Sequence, residues 1–204
     1  MRNIKPVKLK LKKAFLVVDV QNDFCPGGAL PVTDGDRVVP VLNKYIRFFA
    51  KSNLPIFASR DWHPKKTRHF KKFGGSWPVH CVQNTEGAQF HKDLKLPKEA
   101  IILSKGMDPI GDSYSAFQAM DSNGVHLENL LKIFGVEELY IGGLATDYCV
   151  KFSTVDALKH GFKVILLVDS IKGVNVKPRD SELAIEEMLS RGAKKITLKD
   201  LIKR

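Results

Sequence analysis

Three residues able to carry out acyl transfer fall at matching places in this chain: a carboxylate, Asp19, an ammonium, Lys105, and a thiol, Cys149. Asp19 and Lys105 each directly follow a short apolar run. Cys149 follows Leu139-Tyr140-Ile141 through the small-residue turn Gly142 to Thr146. Because Cys149 also opens an amphipathic stretch, its thiol is expected at a helix N-terminus, where unpaired N–H groups and the helix dipole favour a thiolate. Taken alone, such a cysteine is more often buried and inert. An aspartate beside the thiol can take its proton, and a lysine beside both stabilises the resulting charge and orients the aspartate. No histidine is then needed as the base.

The histidines have another use. Asp61 and His63 follow the second apolar run, and His80 lies nineteen residues beyond Asp61 with His69 between them. One oxygen and two nitrogens from Asp61, His63 and His80 suit Zn²⁺, Fe²⁺ or Mn²⁺ with positions left open for water or substrate. The competing reading is that Asp61 and His63 stabilise a turn. Phe24, Trp62, Trp77 and Tyr114 fall in the same stretches. Flat rings beside a nucleophile suit a flat substrate held by stacking, although Trp62 could equally cover the core.

The elements that must position these residues are legible from apolar periodicity. Runs rich in β-branched residues at Ala14 to Val18, Pro55 to Ser59, Ile101 to Ser104, Leu139 to Gly142, Val164 to Val168 and, weakly, Lys195 to Leu198 predict six strands. Three-to-four spacing predicts helices over Asp36 to Ala50, Val125 to Phe134, Asp147 to Lys159 and Asp180 to Arg191. The alternation implies an α/β fold: a largely parallel six-stranded sheet with helices on both faces, three layers deep. In such a sheet ligands sit beyond the carboxyl ends of the strands, which is where Asp19, Lys105 and Cys149 fall. The long segment from Asp61 to about Glu99 has no strong pattern of its own, and a loop of that length in a compact domain is usually functional.

Composition sets outer bounds. With 204 residues, 44% apolar and 27% charged, the chain is expected to form a single domain over 1–204, with residues 1–13 as a basic N-terminal extension. No run is long enough for a membrane span, no secretory signal is visible, and the three cysteines do not form a disulfide framework, so a cytoplasmic location is expected. The net charge of +11 concentrates in that extension and in Lys65, Lys66, Arg68, Lys71 and Lys72, within a segment lacking acids between Trp62 and Asn84. It is read as a solvated basic surface, because no nucleic-acid-binding signature accompanies it. A non-catalytic anion- or nucleic-acid-binding protein is the rival of a different class.

The stretches Val17-Val18-Asp19-Val20-Gln21-Asn22-Asp23-Phe24-Cys25-Pro26-Gly27-Gly28, Arg60-Asp61-Trp62-His63-Pro64, Trp77-Pro78-Val79-His80-Cys81-Val82, Lys105-Gly106 and Gly143-Leu144-Ala145-Thr146-Asp147-Tyr148-Cys149-Val150 resemble the nicotinamidases, within the isochorismatase-like cysteine hydrolases. The resemblance runs from about Phe15 to the last strand. It implies that Asp19, Lys105 and Cys149 form a catalytic triad that turns nicotinamide into nicotinate and ammonia through a thioester, in NAD salvage, with pyrazinamide as a further substrate. It also implies an oxyanion hole from the N–H groups of Ala145 and Cys149, with a cis bond between Leu144 and Ala145. Asp61, His63 and His80 would hold a divalent metal, zinc first and iron or manganese otherwise, with His69 as a candidate fourth ligand. Phe24 and Trp77, with Tyr114 nearby, would enclose the ring, and a homodimer is plausible from the family. Within the same fold the rivals are hydrolases of N-carbamoyl amines, ureidoacrylate, maleamate or isochorismate, which typically lack the full set Asp61, His63 and His80.

Overall fold

The computed structural model describes residues 12–202, so the basic extension expected over 1–13 lies outside the described residues apart from Lys12 and Lys13. The six apolar runs form strands β1 (Lys13–Val18), β2 (Ile56–Asp61), β3 (Ile101–Lys105), β4 (Glu138–Leu144), β5 (Lys163–Lys172) and β6 (Lys194–Ile196). Every pairing is parallel, in the order β3-β2-β1-β4-β5-β6. The chain therefore winds outward from β1 to β3 and restarts on the other side of β1 with β4. A crevice opens where the winding reverses, between the carboxyl ends of β1 and β4.

Among the described residues five α-helices cover the sheet: α1 (Val38–Lys51), α2 (Leu127–Ile133), α3 (Lys151–Lys159), α4 (Asp180–Ser190) and α5 (Leu198–Ile202). Strand side chains alternate between faces, so β1 feeds two cores at once. Phe15 and Val17 pack with Leu42, Tyr45, Ile46 and Phe49 of α1 and Leu201 of α5. Ala14, Leu16 and Val18 pack with Leu127 and Leu131 of α2, Ala157 of α3 and Met188 of α4. The expected three layers are present.

Two elements differ from expectation. The helix expected over Asp147 to Lys159 is divided, with a π-helical turn at Thr146–Val150 ahead of α3. Helix α5 was not expected; its five residues are too few for a periodic pattern to register. The close approach of β4 to β1 depends on Gly143, at φ 127°, where a Cβ would run into the Val18 backbone. Among the described residues no helix is long and apolar enough to cross a membrane.

Candidate active site and metal centre

Four adjacent strands deliver the reactive groups to one edge. Asp61 and Lys105 are direct partners in the β2–β3 register, so their side chains start side by side. Asp19 follows β1 and Cys149 lies in the π turn after β4, on either side of the winding reversal. Asp19 has a left-handed backbone, φ 48°, a conformation that aspartate tolerates better than most residues. Its carboxylate is anchored through Oδ1, which accepts the Ser59 hydroxyl at 2.7 Å.

Lys105 is the hub. Its fully buried Nζ lies 3.0 Å from Asp19 Oδ2, 3.5 Å from Cys149 Sγ and 3.2 Å from the Ser113 carbonyl, and it donates to Asp61 Oδ1. Burial opposes its charge, but Asp19, Asp61 and Cys149 outweigh burial and hold its pKa well above the usual lysine value. Asp61 is the converse: burial would raise it, yet Lys105 and the neighbouring histidines hold it well below the usual carboxylate range. Asp19 is pushed up by burial, with Lys105 pulling the other way. Among the described residues its Oδ2 has no aligned hydrogen bond, so a lone pair remains for a proton beside Cys149, and Asp19, Asp61 and Cys149 place one atom each within 4.8 Å of one another.

The pull of the helix N-terminus toward a thiolate is outweighed by burial. Burial pushes the Cys149 thiol well above its ordinary pKa, with Lys105 working against that rise and Asp19 and Asp61 adding to it. The α3 helix begins only at Lys151, so its dipole does not overcome desolvation. The sulfur rests protonated and needs a base, which Asp19 is placed to be. Cys25 and Cys81 are buried thiols as well, Cys25 pushed up to about 11. Asp61, Asp19 and Lys105 act on Cys81 too, but the sulfur that Lys105 Nζ contacts is that of Cys149.

The turn before Cys149 contains the cis peptide Leu144-Ala145. The carbonyl of Ala145 accepts the N–H groups of Tyr148 at 3.0 Å and Val150 at 3.1 Å, and so passes over the Cys149 N–H that lies between them. That N–H is left out of the carbonyl's bonding in a turn whose side chain is the thiol.

The histidines meet on the other side of Asp61. His63, His69 and His80 are buried and place one ring nitrogen each within 4.8 Å of one another. Asp61 Oδ2 is 3.7 Å from His63 Nε2 and 4.0 Å from His80 Nε2. Each imidazole meets an oxygen acceptor through Nδ1: Gly106 O at 3.0 Å for His63, Pro78 O at 2.7 Å for His80, and Asp112 Oδ1 at 2.5 Å for His69. An oxygen acceptor requires Nδ1 to carry the proton, which leaves the Nε2 lone pair of all three free. Burial lowers His80 to about 4 and lowers His69 too, against the pull of Asp61 and Asp112, so both rings are neutral near pH 7. His63 Nε2 is buried with no hydrogen-bond partner among the described residues. Neutral imidazoles with lone pairs converging on a carboxylate oxygen fit a divalent cation, and a turn-stabilising role for Asp61 and His63 explains none of this. Gly106 is part of the design, since a Cβ there would sit 2.5 Å from His63 Cε1.

Between the thiol and the histidines lies a narrow pocket lined by Phe24, Trp77, Tyr114, Tyr148, Ala145 and Cys149, among others. Trp77 is held by its Nε1–H donating to Tyr114 Oη at 2.8 Å and by an edge contact with Tyr148, ring centroids 5.0 Å apart. A flat ring with a carboxamide at one end and a lone pair at the other matches walls of this kind.

A model of the isochorismatase domain matches residues 13–200. The chain belongs to the isochorismatase family. It is 42% identical to the nicotinamidase of Escherichia coli (strain K12), covering 92% of this chain and 96% of that protein. Among solved structures it is similar to the pyrazinamidase of Pyrococcus horikoshii in complex with zinc, with a TM-score of 0.85 and 49% identity over 92% of this chain and 99% of that one. It is also similar to PnC1 from L. infantum in complex with nicotinate, with a TM-score of 0.79 and 33% identity over 92% and 93% of the two chains.

In this isochorismatase-family chain the candidate residues Asp19, Asp61, His63, His80, Lys105, Ala145 and Cys149 come together, with Phe24, Trp77 and Tyr114 around them and His69 drawn into the histidine cluster. Trp62 is the exception: its ring lies 3.7 Å under the Arg60 guanidinium and packs on the core, away from the pocket. Sequence reasoning missed several contributors. Tyr148 adjoins Cys149 and could have been found by asking what flanks the thiol. Ser59, Asp112 and Ser113 act through contacts that only folding creates.

Proposed function

We propose that this chain hydrolyses nicotinamide to nicotinate and ammonia, a salvage step for NAD, with pyrazinamide as a related substrate. The single observation that carries the reading is Asp61, whose Oδ1 binds the Lys105 beside Cys149 while its Oδ2 faces His63 and His80. One carboxylate thereby joins a nucleophile site to a cation site across one pocket, an arrangement that suits a carboxamide carried on a ring with its own nitrogen lone pair.

In this reading Asp19 removes the Cys149 proton and the sulfur attacks the carboxamide carbon. The N–H groups of Ala145 and Cys149 receive the developing oxyanion, and the Lys105 ammonium offsets the added negative charge. Asp19 then returns the proton to the departing nitrogen, ammonia leaves, and a thioester to Cys149 remains. Asp19 next takes a proton from water, whose oxygen attacks the thioester carbon. Nicotinate leaves and the thiol regains its proton. Phe24 and Trp77, braced by Tyr114, hold the ring so that the carbonyl meets the sulfur. Asp61, His63 and His80, with His69 as a fourth donor, would hold the cation; zinc is the proposed ion, and it supplies a Lewis-acid position for the pyridine nitrogen or water.

The test is ammonia release from nicotinamide by metal-analysed protein, with and without a chelator. Release that falls on chelation and returns with zinc is expected. Activity unchanged by thorough metal removal would count against the cation's part, and no release from nicotinamide by loaded protein would count against the substrate.

A further inference from the structure

The three histidines are locked into the same tautomer by locks of different kinds. His63 and His80 donate to backbone carbonyls, those of Gly106 and Pro78, which no side-chain substitution removes. His69 donates to a side chain, Asp112 Oδ1. The Asp112 carboxylate is 57% exposed while His69 is only 5% exposed, so the lock reaches in from the surface. His69, like His80, lies in the long segment between β2 and β3, and its own backbone is held by its N–H donating to Thr67 Oγ1 at 3.2 Å and its carbonyl accepting the Trp77 N–H at 3.3 Å.

Asp112 is itself held from behind. The next two residues are both anchored in the site, Ser113 by its carbonyl accepting Lys105 Nζ at 3.2 Å and Tyr114 by its hydroxyl accepting Trp77 Nε1 at 2.8 Å. On the other side of the contact, the Arg68 N–H donates to the Pro109 carbonyl at 2.8 Å, which pins the loop of His69 to the segment of Asp112. The carboxylate therefore meets the imidazole as a placed group.

We propose that Asp112 is a positioning residue for the cation site: its carboxylate fixes the ring orientation and tautomer of His69, and so makes His69 a donor as competent as His63 and His80. This rests on the cation-site reading above. A carboxylate behind an imidazole also raises the basicity of the far nitrogen more than a carbonyl does. A hydrogen bond with one exposed partner adds little to the stability of the fold, so variants at Asp112 are expected to fold.

The experiment is zinc affinity of the full chain, stripped of metal, measured by competition with a chromophoric chelator for wild type, Asp112→Ala, Asp112→Asn, His69→Ala and the double variant Asp112→Ala/His69→Ala. Asp112→Ala should weaken zinc binding about 10- to 100-fold. Asp112→Asn, which keeps an oxygen acceptor, should recover part of that loss. In the His69→Ala background, removing Asp112 should change affinity by no more than about twofold, because its effect runs through a ring no longer there. The absorption spectrum of the cobalt-loaded protein should shift in the same way for Asp112→Ala and His69→Ala, and the melting temperature of the metal-free protein should stay at the wild-type value. Wild-type affinity in Asp112→Ala, or the same loss with and without His69, would overturn the proposal. A fall in metal-free melting temperature without a change in zinc affinity would make Asp112 merely structural and overturn it as well. Failure of wild type to bind zinc would instead overturn the cation-site reading.

Discussion

The two halves of this site share Asp61 and are built on opposite plans. Asp19, Lys105 and Cys149 are hung from the ends of adjacent strands, where sheet register sets their spacing; Asp61 and Lys105 are partners in the ladder itself. His69 and His80 come from the long segment between β2 and β3, held by single hydrogen bonds and by each other's rings, with His63 and His69 stacked at 4.5 Å. The nucleophile half is set by the sheet, and the histidine half is set by local locks. Damage to the first should fall on chemistry and, where buried charges lose their shared partner, on stability, and damage to the second on cation affinity and the activity that depends on it, with the fold left intact.

Substitutions that separate the halves give the largest effects. Cys149→Ala should lower kcat by about 10⁴ or more, since the reaction has no second nucleophile, while zinc affinity stays at the wild-type value; stopped assays on metal-analysed protein check both. Lys105→Met should break the comparison, because it leaves Asp19 and Asp61 buried without their shared cation. It should cost about 3–5 kcal/mol of stability in urea unfolding and disable both halves together. Asp19→Asn should slow turnover by roughly 10²–10⁴ by removing the base, with unfolding and zinc binding little changed. Stripping the metal should cut activity roughly 10²-fold and leave the circular dichroism spectrum as it was, the result expected if the histidine half is a set of local locks. Trp77→Ala should act mildest, raising KM for nicotinamide about tenfold or less, with a smaller change in kcat.

The same division governs what could be read from the sequence. Strand-end residues were legible because a parallel sheet gathers everything that follows its strands at one edge, so locating the apolar runs located Asp19, Lys105 and the turn to Cys149. The six strands and four long helices were legible for the same reason, and α5 was too short to leave a pattern. Asp61, His63 and His80 were visible as ligand types at suggestive spacing. His69 was not assignable from its neighbours, since Arg68 and Lys71 suit an exposed loop, yet the ring is buried against His63 and His80. Asp112 carries no local signal, because its partner is remote in sequence and the contact depends on how two loops fold together. The need of Cys149 for a base was legible from Asp19, but the extent of its desolvation was not, because a helix N-terminus is easy to see in sequence and burial at the bottom of a pocket is not.

The central claim is that Cys149 attacks the carboxamide carbon of nicotinamide. Rapid acid quench of zinc-loaded protein mixed with nicotinamide, followed by digestion and mass spectrometry, tests it most directly. The account predicts the mass increment of one nicotinoyl group on the Cys149 peptide, transient in wild type and absent from the Cys25 and Cys81 peptides and from Cys149→Ala. Ammonia release at wild-type rate by Cys149→Ala, with no acyl group on any cysteine, would contradict it.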